Sequence, residues 1–244
     1  MQKKLINNLS FIIPIYNEEG RLDYLFKKIH SFSKNNKKIK VEYILVNDGS
    51  TDNSKKKIKD FINIFSVLKK YNVSLIDYNV NKGKGYAIKK GILKAKNEWL
   101  LTLDADLSVD FEQIIKWNNE FDLNFRSAYW GSRFLKSSKV NSKFIRRYFG
   151  IVLIAILKFF FNFSIKDTQC GFKLYHKNYS KKLFKKLDIY DFSHDIKLLL
   201  LLKRMRIDVF ELPLNWCHQA GSKVNLFTDS LTFIYRIICF KIFK

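Results

Sequence analysis

Cysteine is scarce in this chain: Cys170, Cys217 and Cys239 are its three cysteines among 244 residues. They are too few and too widely separated for a disulfide framework, and none has the Cys-x-x-Cys spacing of a structural zinc site. Apolar residues make up 47% of the chain, which is enough for a sizeable core without cross-links. We therefore expect one large domain, or one domain with an appendage, in a reduced, cytosolic setting.

Long uninterrupted apolar runs are also missing. Residues 1–8 lead directly into a strand pattern and lack the apolar region of a signal peptide. Residues 149–163 come nearest to a membrane-spanning run, but Lys158 interrupts them, and a spanning helix needs about 18 or more apolar residues. The sequence therefore predicts neither a signal peptide nor a transmembrane helix.

Acidic residues are half as frequent as basic ones, with 22 Asp and Glu against 45 Lys and Arg, so the net charge is +23. Such an excess favours polyanionic partners: nucleic acid, anionic lipid or phosphorylated substrates. Two familiar nucleotide motifs, Gly-x-x-x-x-Gly-Lys-Ser/Thr and Gly-x-Gly-x-x-Gly, do not occur. Their absence removes the main support for a P-loop or a dinucleotide-binding protein.

The chain does contain an apolar run at residues 99–103 that ends abruptly at Asp104 and Asp106. On an extended backbone these two carboxylates point the same way. The carboxyl end of a central strand is where open α/β sheets bind ligands, and paired carboxylates suit Mg²⁺ or Mn²⁺ shared with a diphosphate. The alternative is an acidic turn that caps a helix beginning near Asp110.

Short apolar runs alternate with helical spacing along most of the chain. Predicted strands cover residues 9–13, 41–46, 73–76, 99–103, 127–131, 173–175 and 207–214. This alternation predicts an α/β fold with a mostly parallel central sheet flanked by helices. We expect one domain at residues 1–225, with a helix at 141–163, followed by an amphipathic tail at 226–244. The tail is either an interfacial helix or a terminal helix packed on the domain.

Residues that suit a nucleotide follow three of the first four predicted strands. Pro14 and Tyr16 offer a rigid, flat wall for a nucleobase, and Glu18 and Asp48 can accept hydrogen bonds from ribose hydroxyls or a base N–H. A Gly-Lys-Gly turn lets the backbone and Lys84 approach a phosphate. Each residue by itself is compatible with an ordinary cap or turn, but their occurrence at successive strand ends favours a nucleotide site.

Together these motifs resemble family 2 glycosyltransferases of the Rossmann-like GT-A fold. The resemblance covers nearly the whole chain, and its general motifs lie at residues 14–19, 47–52, 81–85, 104–106 and 131–133. More specific motifs resemble dolichyl-phosphate β-glucosyltransferases and bacterial polyprenyl-phosphate relatives, at residues 167–174, 215–216 and 221–223. Two departures are that Asn47 replaces the first Asp of Asp-Asp-Gly-Ser, and that the membrane helix of the eukaryotic enzymes is lacking. The second departure favours a bacterial-type enzyme that uses undecaprenyl phosphate.

The resemblance implies an inverting transfer of a hexose, glucose above all, from a nucleotide sugar such as UDP-glucose to a polyprenyl phosphate, undecaprenyl or dolichyl. It implies that the nucleoside and its ribose are held by Pro14, Tyr16, Glu18, Asp48 and Asp104. Asp104 and Asp106 are the implied metal ligands, for Mg²⁺ or Mn²⁺. The implied location is the cytoplasmic face of a membrane, where the protein is peripheral.

In a direct displacement, the acceptor oxygen attacks the anomeric carbon while the nucleoside diphosphate leaves. Lys84 and a metal at Asp106 then stabilise the charge of the leaving group. A phosphate acceptor is largely dianionic at neutral pH, with a second pKa of about 6, so it needs positioning cations more than a base. The candidate cations are Arg133, Arg146 and Lys223. The candidate orienting carboxylates are Asp167 and Asp195, and the alternative for Asp195 is an N-cap of the following helix.

Two other functions are compatible with parts of the sequence. One is a GT-A transferase that adds sugar to a glycan hydroxyl, with Asp195 as the base. The other is a basic module that binds membranes or nucleic acid without catalysis. Acids at the strand ends, among them Asp48 and Asp104, would repel a nucleic-acid backbone. We therefore expect a membrane surface, and not nucleic acid, among the partners.

Overall fold

The computed structural model describes residues 6–67, 72–141, 163–191 and 193–219. Within these ranges no helix has both the length and the apolar character to cross a membrane. The helices and strands, in chain order, are β1 (Asn8–Ile15), α1 (Leu22–Asn35), β2 (Lys40–Asp48), α2 (Ser54–Val67), β3 (Asn72–Tyr78), α3 (Lys84–Lys94), β4 (Trp99–Thr102), α4 (Gln113–Glu120), β5 (Ala128–Ser132), β6 (Lys139–Asn141), β7 (Lys173–His176), α5 (Lys177–Lys185), α6 (His194–Arg204), β8 (Val209–Pro213) and β9 (Asn215–Cys217).

Seven strands form one sheet in the order β3-β2-β1-β4-β7-β5-β8. β1 to β4 are mutually parallel, β5 is parallel to β8, and β7 runs antiparallel between β4 and β5. The predicted mostly parallel α/β class is therefore confirmed. Because β7 is reversed, its amino end lies beside the carboxyl ends of β4 and β5. We call this side of the sheet, which also holds the carboxyl ends of β1 and β2, the carboxyl edge.

Apolar side chains of the central strands alternate between two buried layers. On one face, the Phe11 ring packs against Phe32, Tyr43 and Phe111, with ring centroids 5.2, 5.3 and 4.8 Å away. Ile12, the next residue, joins the apolar cluster on the opposite face with residues of α3, α5 and α6. Both faces are buried because successive strand residues point in opposite directions and helices cover each side.

A separate parallel ladder pairs β6 with β9, with Lys139 opposite Asn215 and Asn141 opposite Cys217. The Lys139 N–H donates to the Leu214 carbonyl at 3.0 Å, which ties the ladder to the end of β8. The sequence analysis predicted neither this ladder nor α5. Three-residue strands carry too little alternation to be recognised, and α5 is rich in lysine, with few apolar residues to show its period.

Pro14 does not end β1 as predicted, since the strand continues to Ile15. The Ile12 carbonyl accepts the N–H of Leu103, so Ile12 faces β4. Pro14 lies two residues later and faces the same way, but the paired register of β1 with β4 already stops at Thr102. The missing N–H of Pro14 therefore falls where no ladder partner remains.

The prediction of an extended Asp-Ala-Asp segment is wrong. β4 ends at Thr102, and the Leu107 N–H donates to the Asp104 carbonyl at 3.1 Å, which closes a turn. Leu107 has a φ of 51°, in the left-handed region that non-glycine residues rarely adopt. The two acids are therefore placed by a tight turn and not by strand alternation.

Several predictions lie outside the described residues. They are the domain boundary at 225, the tail at 226–244, Arg146 and Lys223, and nearly all of the predicted helix at 141–163. Asn141 itself is the last residue of β6, so a helix does not begin there. The other predictions in this group stay predictions.

Candidate active site

The carboxyl edge brings together chain segments that are far apart in sequence. It gathers the ends of five strands and the first turns of α3 and α6. The functional candidates found there are Tyr16, Glu18, Asp48, Lys84, Asp104, Asp106, Arg133, Asp167, Lys173 and Asp195. Lys173 is the one member of this group that the sequence analysis did not select.

The loop after β1 is fastened to the loop after β2 through Asn17, which has a left-handed φ of 53°. Its side-chain oxygen accepts the Thr51 N–H at 2.7 Å, and its own N–H donates to the Ser50 hydroxyl at 2.9 Å. The Glu18 N–H donates to the Ser54 hydroxyl at 2.9 Å. These hydrogen bonds fix the loop that carries Tyr16. The ring of Tyr16, a residue that is 38% exposed, offers a flat surface beside the end of β1.

Asp48 is buried, and its carboxylate fixes the loop that follows β3. One oxygen accepts the Lys82 N–H at 2.8 Å, and the other accepts the Asn81 side-chain amide at 3.2 Å. Gly49 has a φ of 68°, and a Cβ there would lie 2.5 Å from the Val80 carbonyl carbon. Only glycine allows this close approach. The predicted nucleoside contact of Asp48 stays a prediction, and its structural role here was not foreseen.

The surroundings of Asn47 explain why an asparagine replaces the aspartate of the family motif at this position. It is 1% exposed, and its amide donates to one carboxylate oxygen of Asp77 at 2.8 Å, while Lys55 pairs with the other at 2.7 Å. Burial alone would raise the pKa of Asp77, but Lys55 and Asn47 hold it below its ordinary value. Asp77 is therefore ionised at neutral pH, and an aspartate at position 47 would face it.

We expect Asn47→Asp to lower the free energy of unfolding by about 2 kcal/mol, because it replaces a buried donor with a second carboxylate. The double variant Asn47→Asp/Asp77→Asn restores one acid and one amide and should recover most of this loss. Urea unfolding at pH 7 measures both changes. If the stability losses of the single substitutions Asn47→Asp and Asp77→Asn simply add in the double variant, the two side chains do not act as a pair.

The Gly83-Lys84-Gly85 turn is shaped by the loop before α6. Gly83 has a φ of 94°, and a Cβ there would lie 2.6 Å from the Tyr190 carbonyl oxygen. The Gly85 N–H donates to that same oxygen at 2.9 Å. Gly83 is thus required by close packing against Tyr190, and Gly85 by close packing against His194 and Tyr190, where a Cβ would approach to 2.8 and 2.9 Å. The packing directs Lys84 at the Asp-Ala-Asp turn, where its ammonium lies 2.5 Å from an Asp104 oxygen.

Asp104 is held from two sides. Lys84 pairs with one oxygen, and the whole carboxylate packs against Gly171, where a Cβ would lie 2.4 and 2.7 Å from the two oxygens. Burial by itself would raise the pKa of Asp104, but the Lys84 ammonium outweighs it and holds the pKa below its ordinary value. Asp106 is half-buried, and one of its oxygens accepts the Ser108 N–H at 2.9 Å.

The donor atoms at this turn fit a hard divalent cation in part. Carboxylate oxygens are the ligands that Mg²⁺ and Mn²⁺ prefer. In the part of the chain that the structure describes, no group of three or more His, Cys, Asp or Glu side chains converges as a metal site. A cation at Asp104 and Asp106 would therefore need further oxygen ligands, which a diphosphate provides.

Arg133 and Asp167 form a bidentate pair. The guanidinium donates from Nε and Nη2 to the two oxygens of Asp167 at 2.7 and 2.8 Å, and the Arg133 backbone N–H adds a third bond at 2.9 Å. The Asp167 side chain is 2% exposed and that of Arg133 is 29% exposed. Burial tends to raise the pKa of Asp167, but Arg133 holds it below its ordinary value. Asp167 thus orients Arg133 and keeps its charge.

Lys173 is a buried lysine at the start of β7. Its ammonium is paired with Asp195, donates to the Thr168 carbonyl at 2.8 Å and lies 4.1 Å from the centre of the Trp130 ring. Burial lowers the pKa of Lys173 below its ordinary value despite the neighbouring carboxylate. The sequence signal that could have pointed to Lys173 is its position as a lysine at the start of the otherwise apolar run Lys-Leu-Tyr.

Asp195 lies inside the first turn of α6, and the N-cap residue is Ser193, whose side chain makes no capping hydrogen bond. The alternative of Asp195 as N-cap is therefore wrong. His194 Nδ1 lies 2.7 Å from the Asp191 carbonyl and must donate to it. Its Nε2 lies 3.2 Å from the Asp195 oxygen that pairs with Lys173. Asp195 is thus paired with the buried Lys173 ammonium, while the neighbouring His194 Nε2 has no hydrogen-bond partner among the described residues.

Comparison with known families decides the classification. A model described as Glycosyl transferase family 2 matches residues 10–184, which is well over half of the chain. The chain belongs to this family. The family predicted from the sequence motifs is confirmed.

Similar curated proteins point in the same direction. The chain is 32% identical over 238 residues to a dolichyl-phosphate beta-glucosyltransferase of Dictyostelium discoideum, covering 91% of this chain and 70% of that protein. It is 31% identical over 233 residues to the enzyme of that name from Homo sapiens, covering 88% and 69%. The Saccharomyces cerevisiae enzyme of that name is 30% identical over 241 residues, covering 91% and 71%.

Solved structures of low sequence identity share the fold. One is glucosyl-3-phosphoglycerate synthase from Mycobacterium tuberculosis in complex with Mn²⁺, UDP and glucosyl-3-phosphoglycerate, with a TM-score of 0.65, 15% identity and coverage of 96% of this chain and 79% of that one. Another is the Pyrobaculum calidifontis mannosyltransferase PcManGT in complex with GDP-Man and Mn²⁺, with a TM-score of 0.62, 15% identity and coverage of 97% and 64%. The predicted GT-A fold is confirmed.

Proposed function

We propose that this glycosyltransferase moves glucose from UDP-glucose to a polyprenyl phosphate. The supporting observation is the similarity, at 30 to 32% identity, to dolichyl-phosphate beta-glucosyltransferases across about nine-tenths of the chain. The cluster at the carboxyl edge has the chemistry that this reaction needs. Three cation–carboxylate pairs meet there: Lys84 with Asp104, Arg133 with Asp167, and Lys173 with Asp195.

The donor half of the site lies at the ends of β1, β2 and β4. Tyr16 provides a flat surface beside Pro14, and the pair suits a nucleobase. Asp104 and Asp106 would hold Mg²⁺ or Mn²⁺ together with the diphosphate. When bound, that cation supplies Lewis-acid stabilisation of the charge on the departing nucleoside diphosphate. Lys84 adds a positive charge at the same place.

The acceptor half of the site centres on Arg133. Asp167 holds two guanidinium nitrogens and fixes the plane of the group, while part of the side chain stays exposed to receive a phosphate. Arginine suits phosphate because its donors are planar and always charged. Asp167 accepts three bonds from Arg133, so it acts as a positioning residue and not as a base. Arg146 and Lys223 are further candidates for this phosphate.

Asp195 has a different role in each of the two transferase hypotheses. A phosphate acceptor needs no base, because it already carries nearly two negative charges at neutral pH. A glycan hydroxyl needs one, and Asp195 is the candidate. Its pairing with the buried Lys173 ammonium favours a role in positioning the donor. We therefore prefer the phosphate acceptor.

The sequences that follow β6 and β9 support a membrane-surface location. β6 and β9 are parallel and paired up to Asn141 and Cys217, so these two sequences begin at neighbouring points. The sequence beyond each point is apolar and carries basic residues, at 142–162 and 220–244. Such sequences suit the headgroup region, where a polyprenyl phosphate exposes its phosphate. We place the protein peripherally on the cytoplasmic face of the membrane.

The test is to incubate the purified protein with UDP-glucose, GDP-mannose or UDP-N-acetylglucosamine, each with Mn²⁺ and with undecaprenyl or dolichyl phosphate. We expect radiolabel in the lipid extract when UDP-glucose is the donor, and none when GDP-mannose or UDP-N-acetylglucosamine is the donor. Label in a glycan acceptor would support the hydroxyl-transfer alternative. Lipid binding with no turnover of any donor would favour the binding module.

A truncation tests the tail. Removing residues after 224 should release the protein from anionic liposomes and slow glycosylation of the lipid, since each basic side chain near an anionic surface contributes on the order of 1 kcal/mol. A short, water-soluble phosphate acceptor should be affected less. Liposome sedimentation and circular dichroism measure binding and folding. A folded truncation that still binds as the full chain does would exclude the tail as an anchor.

A further inference from the structure

Lys84 is tied to the residue that the metal would share. Its ammonium lies 2.5 Å from one oxygen of Asp104, and the two side chains are 27% and 38% exposed. The pair therefore lies at the open side of the site, where a diphosphate would arrive. The role inferred below for Lys84 rests on the proposed function in one respect, the use of a nucleoside-diphosphate donor.

Asp104 has little freedom to turn away from Lys84. Its second oxygen lies against Gly171, where even a Cβ would approach to 2.4 Å. The carboxylate of Asp106 is turned toward its own backbone, where it accepts the Ser108 N–H at 2.9 Å. Both oxygens of Asp104 lie close to Gly171, so a second cation would compete with Lys84 for this carboxylate.

A divalent cation and an ammonium on one carboxylate oxygen would stand within a few ångströms of each other. Their repulsion is strong at that distance in a partly buried site. A bound diphosphate relieves this repulsion, because its oxygens carry enough negative charge to bind both the metal and the ammonium.

We propose that Lys84 is an exchange cation: it occupies Asp104 until a divalent cation binds with the nucleoside diphosphate, and its ammonium then moves onto the diphosphate. Its place in the fold permits the movement, since it is the first residue of α3 and follows Gly83. Two consequences follow. The metal by itself binds weakly, and metal and nucleotide bind cooperatively, each raising the affinity for the other by the same factor.

The experiment measures Mn²⁺ binding to the full-length protein by electron paramagnetic resonance, with and without UDP. For Lys84→Met we expect Mn²⁺ alone to bind about tenfold more tightly, while the affinity for UDP in the presence of Mn²⁺ falls about tenfold. Lys84→Arg keeps the positive charge and should keep weak binding of Mn²⁺ alone. Lys28→Met is the matched control, because Lys28 pairs with Asp110, which is not a proposed metal ligand, and it should change neither affinity.

Unchanged or weaker binding of Mn²⁺ alone to a folded Lys84→Met protein would overturn the proposal. Unchanged UDP affinity in that variant would also overturn it. Failure of the proposed function looks different, since the wild-type protein would then bind no UDP or transfer no glucose. The measurement with Mn²⁺ alone needs no nucleotide, so it decides the role of Lys84 at Asp104 in either case.

Discussion

Asp106→Asn is expected to lower the rate of glucose transfer at least about a hundredfold, or roughly 2.7 kcal/mol of transition-state stabilisation. The substitution removes a proposed charged metal ligand and keeps nearly the same shape. Folding should be intact, because the amide oxygen of Asn can still accept the Ser108 N–H that Asp106 accepts now. Initial rates with UDP-glucose and a polyprenyl phosphate at several Mn²⁺ concentrations are the measurement.

The chain offers a matched control in Asp110. One oxygen of Asp110 accepts the N–H of Glu112, two residues on, at 3.1 Å, which repeats the local hydrogen bond of Asp106. Asp110→Asn should therefore change the same kind of turn without removing a proposed metal ligand, and its transfer rate should stay near that of the wild type. Near-normal turnover in excess EDTA would show that the reaction does not depend on a metal at Asp106.

Arg133→Gln is expected to lower the free energy of unfolding by about 3 to 5 kcal/mol, because it leaves the Asp167 carboxylate buried without its partner. Asp167 is only 2% exposed, so water cannot replace the lost bonds. Transfer to the polyprenyl phosphate should fall as well, since the phosphate would lose the cation that we propose positions it. Urea unfolding and acceptor-dependent rates measure the two effects.

The double variant Arg133→Gln/Asp167→Asn separates stability from function. It contains no buried unpaired charge, so most of the lost stability should return. Acceptor use should stay impaired while the affinity for UDP-glucose changes little, because the guanidinium is still missing. A double variant that regains both stability and acceptor use would assign the pair a purely structural role.

The pH dependence of the Arg133 effect has a definite sign. In the wild type, Arg133 holds the pKa of Asp167 below its ordinary value, so the stability of this pair is present above that ordinary value and is lost as pH falls through the lowered pKa. In Arg133→Gln the guanidinium no longer opposes burial, and only the backbone N–H of residue 133 and Lys173 still do, so the pKa of Asp167 rises and Asp167 takes up a proton more readily. The difference in stability between wild type and variant should therefore shrink as the pH is lowered from 7 toward 4.

The amino-acid sequence was sufficient for the alternation of strands and helices, for the family, and for most of the residues at the carboxyl edge. Apolar runs such as 99–103 and the periodic helices between them follow from local pattern, which needs no knowledge of distant contacts. Motifs such as Asp-Ala-Asp carry their chemistry in consecutive residues. For that reason Asp104, Asp106 and Lys84 are all recognisable from the sequence alone.

Only the tertiary structure decided how the charged residues pair. Arg133 and Asp167 are 34 residues apart, and nothing local indicates that one fixes the other. Lys173 became visible as a site residue only when the reversed strand β7 brought its amino end to the carboxyl edge, next to Asp195. The glycine at 171 is required by an Asp104 oxygen from a distant segment of the chain. Such constraints arise from packing between distant segments, so no pattern within a short stretch of sequence can contain them.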